Sequence, residues 1–514
     1  MRLGVDVGGT HTDAVIVTGN RVLASCKHLT SSDITSGIIA AIEQVLSDSG
    51  IASRQLSAIM LGTTQFTNAV VERRQLEATA AIRLGLPATL SVPPMYDWPE
   101  DLHQALGNHV FIVQGGHQYD GSSLSVTSER EVSEVARAIA DAQLSAAAIT
   151  SVFAPVNDDS ERWFADRLLQ HLPDLDLTLS SELGRLGLLE RENATLLNSA
   201  LKRFARRVVG AFQSALQDLQ ITAPFFLSQN DGTLMQAAQA MAYPVLTFSS
   251  GPTNSMRGAS FLCGIDNAVV VDVGGTTADI GMLIDGFPRE SSVAVEIGGV
   301  LSNFRMPDVL ALGVGGGTLV HEQRLGPESV GHNLVTEGLV FGGTRLTATD
   351  VAVACGRVNI GDAQRLVDLD PDRMSSAMAK IDGMVTDGID RIKTAAQPVP
   401  VIAVGGGQFL VPDEIPGVSQ VLRPEHAAVA NAIGAALAKV SGEAELIYSR
   451  NNRSRDSALA EVEALARSRA IAAGAVAESL NVVEVEELSM AYLAEGADRI
   501  RLKVVGDLVL ETGL

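Results

Sequence analysis

Two short segments carry the residue types that chemistry on a phosphate would need. Val5-Asp-Val-Gly-Gly-Thr-His-Thr-Asp13 and Val271-Asp-Val-Gly-Gly-Thr-Thr-Ala-Asp279 agree at seven of nine positions. In each copy a Gly-Gly pair follows a short apolar run and precedes another, the pattern of a tight turn between two strands. A glycine pair lets the backbone approach a ligand closely, and the N–H groups of such a turn form a concave site for an anion. Gly8, Gly9, Gly274 and Gly275 supply that backbone, with Thr10, Thr12, Thr276 and Thr277 adding hydroxyls around it. Asp6 and Asp272 each lie between two valines, where a lone charge is costly to bury. Mg²⁺ is the natural counter-ion for such carboxylates beside phosphates, so Asp6 and Asp272 are the candidate metal ligands and Asp13 and Asp279 a second pair of acids.

Two further glycine clusters follow strand-like runs, Gly313-Val-Gly-Gly-Gly-Thr318 and Val404-Gly-Gly-Gly-Gln408. The bare backbone of Gly405, Gly406 and Gly407 could lie against an adenine or a ribose. Neither cluster fits G-x-G-x-x-G with its helix and acid, so the dinucleotide-binding reading is poor, and G-x-x-x-x-G-K-[ST] is absent, which excludes a P-loop.

These residues need a scaffold of alternating strands and helices, and the chain reads that way. Leu3 to Val7 and Asp13 to Val17 are strand-like; Ile38, Ile42, Val45 and Leu46 then recur at helical spacing, with Ser32 and Asp33 as caps. Residues 87 to 123, rich in Pro, Gly and aromatics, read as an ordered loop region or insertion. Glu129 to Ala148 reads as an alanine-rich amphipathic helix, Ser151 to Pro155 as a strand with a proline stop, and Glu192 to Leu219 as one long helix or two joined ones. A new strand–turn–strand begins at Ala268. After about residue 450 come a helix (Asp456 to Ala473) and two strands (Val482 to Glu486, Arg499 to Val505), a small βαβ-like appendage. The duplicated hairpin implies two similar domains facing one another across a cleft. The expected boundaries are 1–178, 179–450 and 451–514.

Composition narrows the partners. The 514 residues carry 38 Lys and Arg against 60 Asp and Glu, a formal charge of −22, which repels nucleic acid. Hydrophobic residues make up 46%, enough for a packed core without staples. Cys26, Cys263 and Cys355 lie far apart, which excludes a zinc or iron–sulfur framework and fits a reducing cytoplasm. The N-terminus opens into a strand with no signal core. The most apolar stretch, Ala427 to Val440, contains Asn431 and Lys439 and is too short to span a bilayer, so a cytoplasmic protein without membrane contact is expected.

The two DxGGT hairpins and the late triple glycine resemble the phosphate and adenosine motifs of the actin, sugar kinase and heat-shock ATPase superfamily. Within it the chain resembles the A-type subunit of the hydantoinase/oxoprolinase family. Carrying that resemblance are Gly4 to Asp13, Gly62-Thr-Thr-Gln-Phe-Thr-Asn-Ala69, Glu72-Arg73, Ser180-Ser-Glu182, Glu190-Arg191, Asn198, Ser250-Gly-Pro252, Asp272 to Thr276, Gly313 to Thr318 and Gly326-Pro-Glu-Ser329. The resemblance implies an α/β fold of duplicated actin-like ATPase (ribonuclease H-like) domains facing a cleft. It implies ATP and Mg²⁺ as cofactors. The implied reaction phosphorylates the ring carbonyl of a cyclic amide (a hydantoin, 5-oxoproline or a lactam) and then hydrolyses the activated ring, with a companion B-type or other ring-opening subunit. Thr63, Thr64, Thr67 and Asn68 form a dense neutral polar set suited to an imide edge, Thr64 and Asn68 nearest the chemistry, with Glu190 and Arg191 as further contributors. The departures are Leu61, where the family usually has His, and the segment from Val330 to Phe341, where it usually has a Pro-Gly-Pro-Cys-Tyr-Gly-like stretch. An apolar Leu61 points to a ring without a carboxylate, closer to a hydantoin than to 5-oxoproline. A small-molecule kinase of the same superfamily, or an actin-like ATPase without small-molecule turnover, are the competing readings. The pattern leaves self-association open.

Overall fold

The computed structural model describes residues 1–514 except 9–10, 20, 30–33, 184–185, 292–293, 305, 323, 452, 491–496 and 511–514. The expected caps Ser32 and Asp33 lie outside the described residues. The fold is α/β, with two sheets built around the two copies of the hairpin.

In the first copy, strand Arg2–Val7 pairs antiparallel with His11–Thr18 and parallel with Ala58–Thr63, placing Asp6 opposite Asp13 on one side and Gly62 on the other. In the second, Ala268–Val273 pairs antiparallel with Ala278–Ile284 and parallel with Val399–Val404, so Asp272 stands opposite Asp279 and Val404. The strand period of two sorts the side chains. Leu3, Val5 and Val7 enter one core with Ile38, Ile42 and Val45 of helix Ile34–Ser49 and Phe212 of the long helix, while Val269, Val271 and Val273 enter a second core with Met378, Ile381 and Val385. Gly4, Asp6, Val270 and Asp272 therefore face the opposite side of their sheets.

Two helices cover that opposite side. Ser250–Cys263 packs Met256 and Ala259 against Ala268 and Val270, and Ala430–Leu437 lies on Gly4, whose Cβ, if it had one, would stand 2.1 Å from the Ala432 carbonyl oxygen. The helices also cross each other at two glycines. A Cβ on Gly258 would meet the Ala430 carbonyl oxygen at 1.9 Å, and one on Gly434 the Asn254 carbonyl oxygen at 1.8 Å. This reciprocal contact joins the two halves.

The first sheet has nine strands and draws on distant parts of the chain. From edge to edge it runs Arg21–Leu29, His11–Thr18, Arg2–Val7, Ala58–Thr63, Phe225–Ser228, Thr233–Gln236, Lys439–Ser449, Ala497–Gly506 and Asn481–Met490. The C-terminal segment continues this sheet. Lys439–Ser449 and Asn481–Met490 run parallel, joined by helix Arg455–Ala472, with Ala497–Gly506 antiparallel between them, a split βαβ unit.

A third, four-stranded parallel sheet, in the order Val110–Gln114, Thr79–Leu86, Ala146–Ser151, Asp176–Leu179, corrects three expectations. The proline-rich stretch is not all loop, since it contributes helix Glu100–Leu106 and strand Val110–Gln114. The alanine-rich helix starts as expected, with a Ser128–Glu131 capping box, but ends at Asp141, and Gln143 takes a left-handed conformation after it. Ala146, Ala147 and Ala148 belong to a buried central strand, which ends at Ser151, so the expected strand from Ser151 to Pro155 does not form. High helix propensity is overridden there because small side chains let the long helix Leu188–Asp218 come close, Ser199 Oγ donating to the Ala147 carbonyl at 2.9 Å. That helix is a single one of 31 residues. Among the described residues, no helix is long and apolar enough to cross a membrane.

The crossing yields a stability prediction. Gly434→Ala should lower the melting temperature by several degrees, because a methyl group at 1.8 Å from a backbone oxygen forces the helices apart. Gly383→Ala is the paired control: Gly383 is an exposed position of helix Pro371–Ile392 with nothing within 4 Å, so the same change should stabilise by roughly 0.5–1 kcal/mol. Thermal unfolding of both variants checks the contrast.

Candidate active site

Asp6 and Asp272 each sit in a seat made by a glycine on the neighbouring parallel strand or just beyond it. A Cβ on Gly62 would stand 2.3 Å from Asp6 Oδ1, and one on Gly405 would stand 2.3 Å from Asp272 Oδ1. Each carboxylate is also held from its covering helix. Asn431 Nδ2 donates to Asp6 Oδ2 at 2.7 Å, and Ser255 Oγ donates to Asp272 Oδ2 at 2.5 Å. Asp6, Asp272, Gly8, Asp13, Gly274, Gly275 and Gly405 to Gly407 all line one cavity of ≈ 330 Å³ between the halves.

The second glycine cluster has a different task from the one its composition suggests. Gly316 and Gly317 donate their N–H groups to the carbonyls of Gly274 and Gly275 at 3.0 and 2.7 Å, and a Cβ on Gly315 would stand 2.6 Å from the Thr276 nitrogen. Bare backbone is required because it is stacked on the back of the phosphate-type turn. Gly407 does the same from the other side, its N–H donating to the Val273 carbonyl at 2.8 Å.

The electrostatics of the cavity are strongly anionic. Asp6, Asp13 and Asp272 line it with Lys27, whose Nζ pairs with Asp13 at 2.6 Å, and Asp279 lies behind Asp272. Burial, with Asp13 and Asp272 nearby, pushes the Asp6 carboxyl up to about 7. Burial and Asp272 push Asp279 up to about 7 as well. Asp13 and Asp272 are also raised by burial, which outweighs Lys27 and Ser255 respectively. Burial and Lys27 bring His11 down to about 4, so its ring is neutral at pH 7. Asp6 Oδ1 is buried without a hydrogen-bond partner among the described residues, and both amide atoms of Asn254, across Gly62, are in the same condition. An orphaned carboxylate oxygen in a cavity with surplus negative charge fits a divalent cation. Among the described residues no three His, Cys, Asp or Glu side chains come close enough to hold a metal alone. The donor set therefore suits Mg²⁺, which commonly takes one or two carboxylates and completes its shell with water and phosphate oxygens.

The remaining candidates are distributed as follows. Gly9 and Thr10 lie outside the described residues. Thr12 is buried beneath the first hairpin, and Thr276, Thr277 and Asp279 belong to the second hairpin without lining the cavity. Thr63, Thr64, Thr67 and Asn68 also stay outside the cavity lining. Thr63 nevertheless pairs with Val7, so the cluster starts at the same sheet end as the first Gly-Gly turn, and Thr64 stands beside Gly251. Thr67 and Asn68 lie within helix Gln65–Val71, which Thr64 precedes and which is only seven residues long.

Arg191 is buried and does not line this cavity. Its Nε donates to Ser180 Oγ at 3.0 Å and its Nη2 to the Ser151 carbonyl at 2.6 Å, with Glu161 nearby, a brace between the long helix and the four-stranded sheet. Glu190 is half-buried on a separate cavity of ≈ 1050 Å³. Leu61 is 1% exposed and packed with Leu3 and Val5, so it faces no ligand and gives no ground for choosing a hydantoin over 5-oxoproline.

Sequence reasoning missed His11, Lys27, Ser255, Asn431 and the seats at Gly62 and as a Cβ-free neighbour of Asp272 at Gly405. One signal was available: Ser255-Met-Arg-Gly258-Ala and Asn431-Ala-Ile-Gly434-Ala share a polar residue three positions before the crossing glycine.

Two family models match the chain, the hydantoinase/oxoprolinase N-terminal region over residues 2–172 and hydantoinase/oxoprolinase over residues 191–405. Among similar curated proteins are the caprolactamase subunit alpha of Pseudomonas jessenii (26% identical, covering 69% of this chain and 54% of the relative) and the acetophenone carboxylase gamma subunit of Aromatoleum aromaticum (23% identical, 70% and 53%). The chain spans about half the length of the curated relatives it matches. The solved ATP-dependent caprolactamase from Pseudomonas jessenii superposes with a TM-score of 0.81 at 19% identity, covering 99% of this chain and 88% of that one, a likeness of fold.

The raised carboxyls predict a pH dependence. An acid raised on folding contributes stability that is fully present below its unfolded value near 3.8 and is lost as pH rises through about 7. Without added metal or nucleotide, the protein should therefore melt several degrees lower at pH 8 than at pH 5.5. Asp6→Asn should narrow that difference, read by thermal unfolding at the two pH values.

Proposed function

The chain belongs to the hydantoinase/oxoprolinase family, and from that premise we propose that it is an ATP-dependent enzyme that phosphorylates a carbonyl oxygen of a small cyclic amide, after which water adds to the activated carbon, phosphate leaves and the ring C–N bond breaks. The observation that supports this most directly is the pair of glycine-seated carboxylates, Asp6 and Asp272, in one glycine-lined cavity. A ring amide carbonyl is a poor electrophile, and phosphorylation converts its oxygen into a leaving group. Catalysis of such a transfer is mainly positioning and charge stabilisation.

In this reading the two Gly-Gly turns cradle the phosphates and Gly405 to Gly407 border the nucleoside, with Leu334, Val335, Ile360 and Phe409 supplying apolar cover. Asp6 and Asp272 would hold Mg²⁺, which when bound would supply positive charge against the phosphates. Asn431 and Ser255 fix the orientation of the two carboxylates. The substrate ring is placed at Thr63, Thr64, Thr67 and Asn68, beside the end of the first hairpin. Arg191 is left out of that site because its donors are already engaged in the brace.

The matched proteins are named as subunits, which supports a companion chain for full turnover. A second reading rests on the acetophenone carboxylase subunit: the same cavity would activate a ketone for carboxylation.

The experiment is ADP release by the purified chain with Mg²⁺-ATP, alone and with caprolactam, hydantoin, 5-oxoproline or acetophenone plus bicarbonate. A cyclic amide should stimulate release, and Asp6→Ala and Asp272→Ala should each weaken Mg²⁺-ATP binding by at least ~10-fold in calorimetry, about 1.4 kcal/mol. Thr64→Val with Asn68→Ala should abolish stimulation while keeping ATP affinity. Stimulation by the ketone and by no amide would favour the second reading, and unchanged ATP binding in both Asp variants would remove the nucleotide site itself.

A further inference from the structure

A second cavity, of ≈ 760 Å³, lies at the other end of both hairpins. The nucleotide-sized cavity is reached by Asp6, Gly8 and His11 of the first hairpin and by Gly274 of the second, whereas the second cavity is lined by Arg2 and by Val17 to Gly19 of the first and by Gly286 and Phe287 after the second. With about 3.3 Å of rise per strand residue, the two are separated by roughly 15 Å. Its wall also includes Arg257 of the crossing helix Ser250–Cys263, Lys439 just after the other crossing helix, and residues of the C-terminal strands.

The charges here oppose those of the molecule. In a chain of net charge −22, this cavity gathers Arg2, Arg257 and Lys439 against Asp266 and Asp507. Lys439 is paired with Asp507 at 3.3 Å, and Asp266, exposed at the rim, accepts from Ser260 Oγ at 3.1 Å. Arg257 is different. Its Nε and Nη1 are buried with no hydrogen-bond partner among the described residues, its Nη2 reaches only the Leu437 carbonyl at 3.5 Å, and its guanidinium lies over the Phe287 ring at 5.3 Å. Burial without a full partner draws it down to about 10, Asp231 opposing that only in part. Leaving buried guanidinium donors unpaired is costly, and a guanidinium presents its N–H groups in a fork that matches two oxygens of an oxyanion.

We propose that this cavity is a binding site for a small anion presenting phosphate or carboxylate oxygens, held by Arg257 and assisted by Arg2. Because its wall is built from the far ends of both hairpins and from a crossing helix, such a ligand bridges the two halves behind their joint. The site is separate from the one that carries the proposed activity and does not depend on that reading.

The test uses the full chain with the nucleotide-sized cavity saturated by Mg²⁺-ADP, so that phosphate has only the second cavity to fill. Inorganic phosphate and succinate, each at ~20 mM and compared with chloride at matched ionic strength, distinguish the two sources of oxyanion. At least one should raise the melting temperature by about 1 °C, as expected for a ligand near 10 times its Kd in a chain of 514 residues. Arg257→Gln should abolish the shift, and Arg257→Lys should keep part of it. Arg2→Gln, at a half-buried position, should reduce the shift and decides the matter if Arg257→Gln does not fold. A shift of equal size in the parent and in Arg2→Gln and Arg257→Gln, or no shift with either anion, would overturn the proposal. The same holds for a shift seen only when ADP is left out, since the anion would then be occupying the first cavity.

Discussion

The arrangement depends on keeping two carboxylates at the bottom of one cleft. Asp6 and Asp272 are placed among apolar strands, where an ionised side chain costs several kcal/mol unless its surroundings answer it. The protein answers each in the same way, with a glycine beside the carboxylate and one polar donor from a covering helix. What is left over is an Asp6 oxygen without a hydrogen-bond partner among the described residues, and two carboxyls, Asp6 and Asp279, raised to about 7.

That requirement explains why glycines cluster where they do. Gly4 admits one covering helix, Gly258 and Gly434 let the two helices cross backbone to backbone, and Gly315 to Gly317 stack on the second turn. Each removes a side chain from a place where a second segment must come within van der Waals distance of the first. The same helix carries both consequences, since Ser255 binds Asp272 while the neighbouring Asn254 lies across Gly62 from Asp6. A shift of that helix would be felt at both carboxylates.

The additional layers fix this centre rather than enlarge it. The four-stranded sheet is locked to the long helix through the buried Arg83–Glu192 pair, with Arg83 Nε 2.8 Å from Glu192 Oε1, and through the Arg191–Ser180–Glu161 network. The C-terminal split βαβ unit extends the first sheet, and Lys503, buried between Asp231 and Glu290, connects it with the rest of the molecule at 2.8 and 3.1 Å. Side chains that look like surface charges in the sequence are here interior braces, because a molecule whose described residues form five sheets has many seams and each needs its polar backbone and charges satisfied.

The sequence by itself determined the duplicated strand pairs, the α/β class and the long helix, since strand period, Gly-Gly turns and apolar spacing are properties of neighbouring residues. It also carried the family pattern, which is a matter of spacing. It misread Ala146 to Ala148 as helix because alanine's local preference favours one, whereas the strand state comes from a helix fifty residues later pressing on it. It read Arg191 as a ligand contact and Leu61 as a pocket wall, when packing between distant segments buries one in a brace and the other in a core. Tertiary structure alone decided that Gly62 and Gly405 seat the two aspartates, that Asn431 and Ser255 hold them, and that Arg257 has unpaired donors behind the joint. Each of these depends on which segments meet across the fold, and contact between residues hundreds of positions apart is set by the packing of the whole chain.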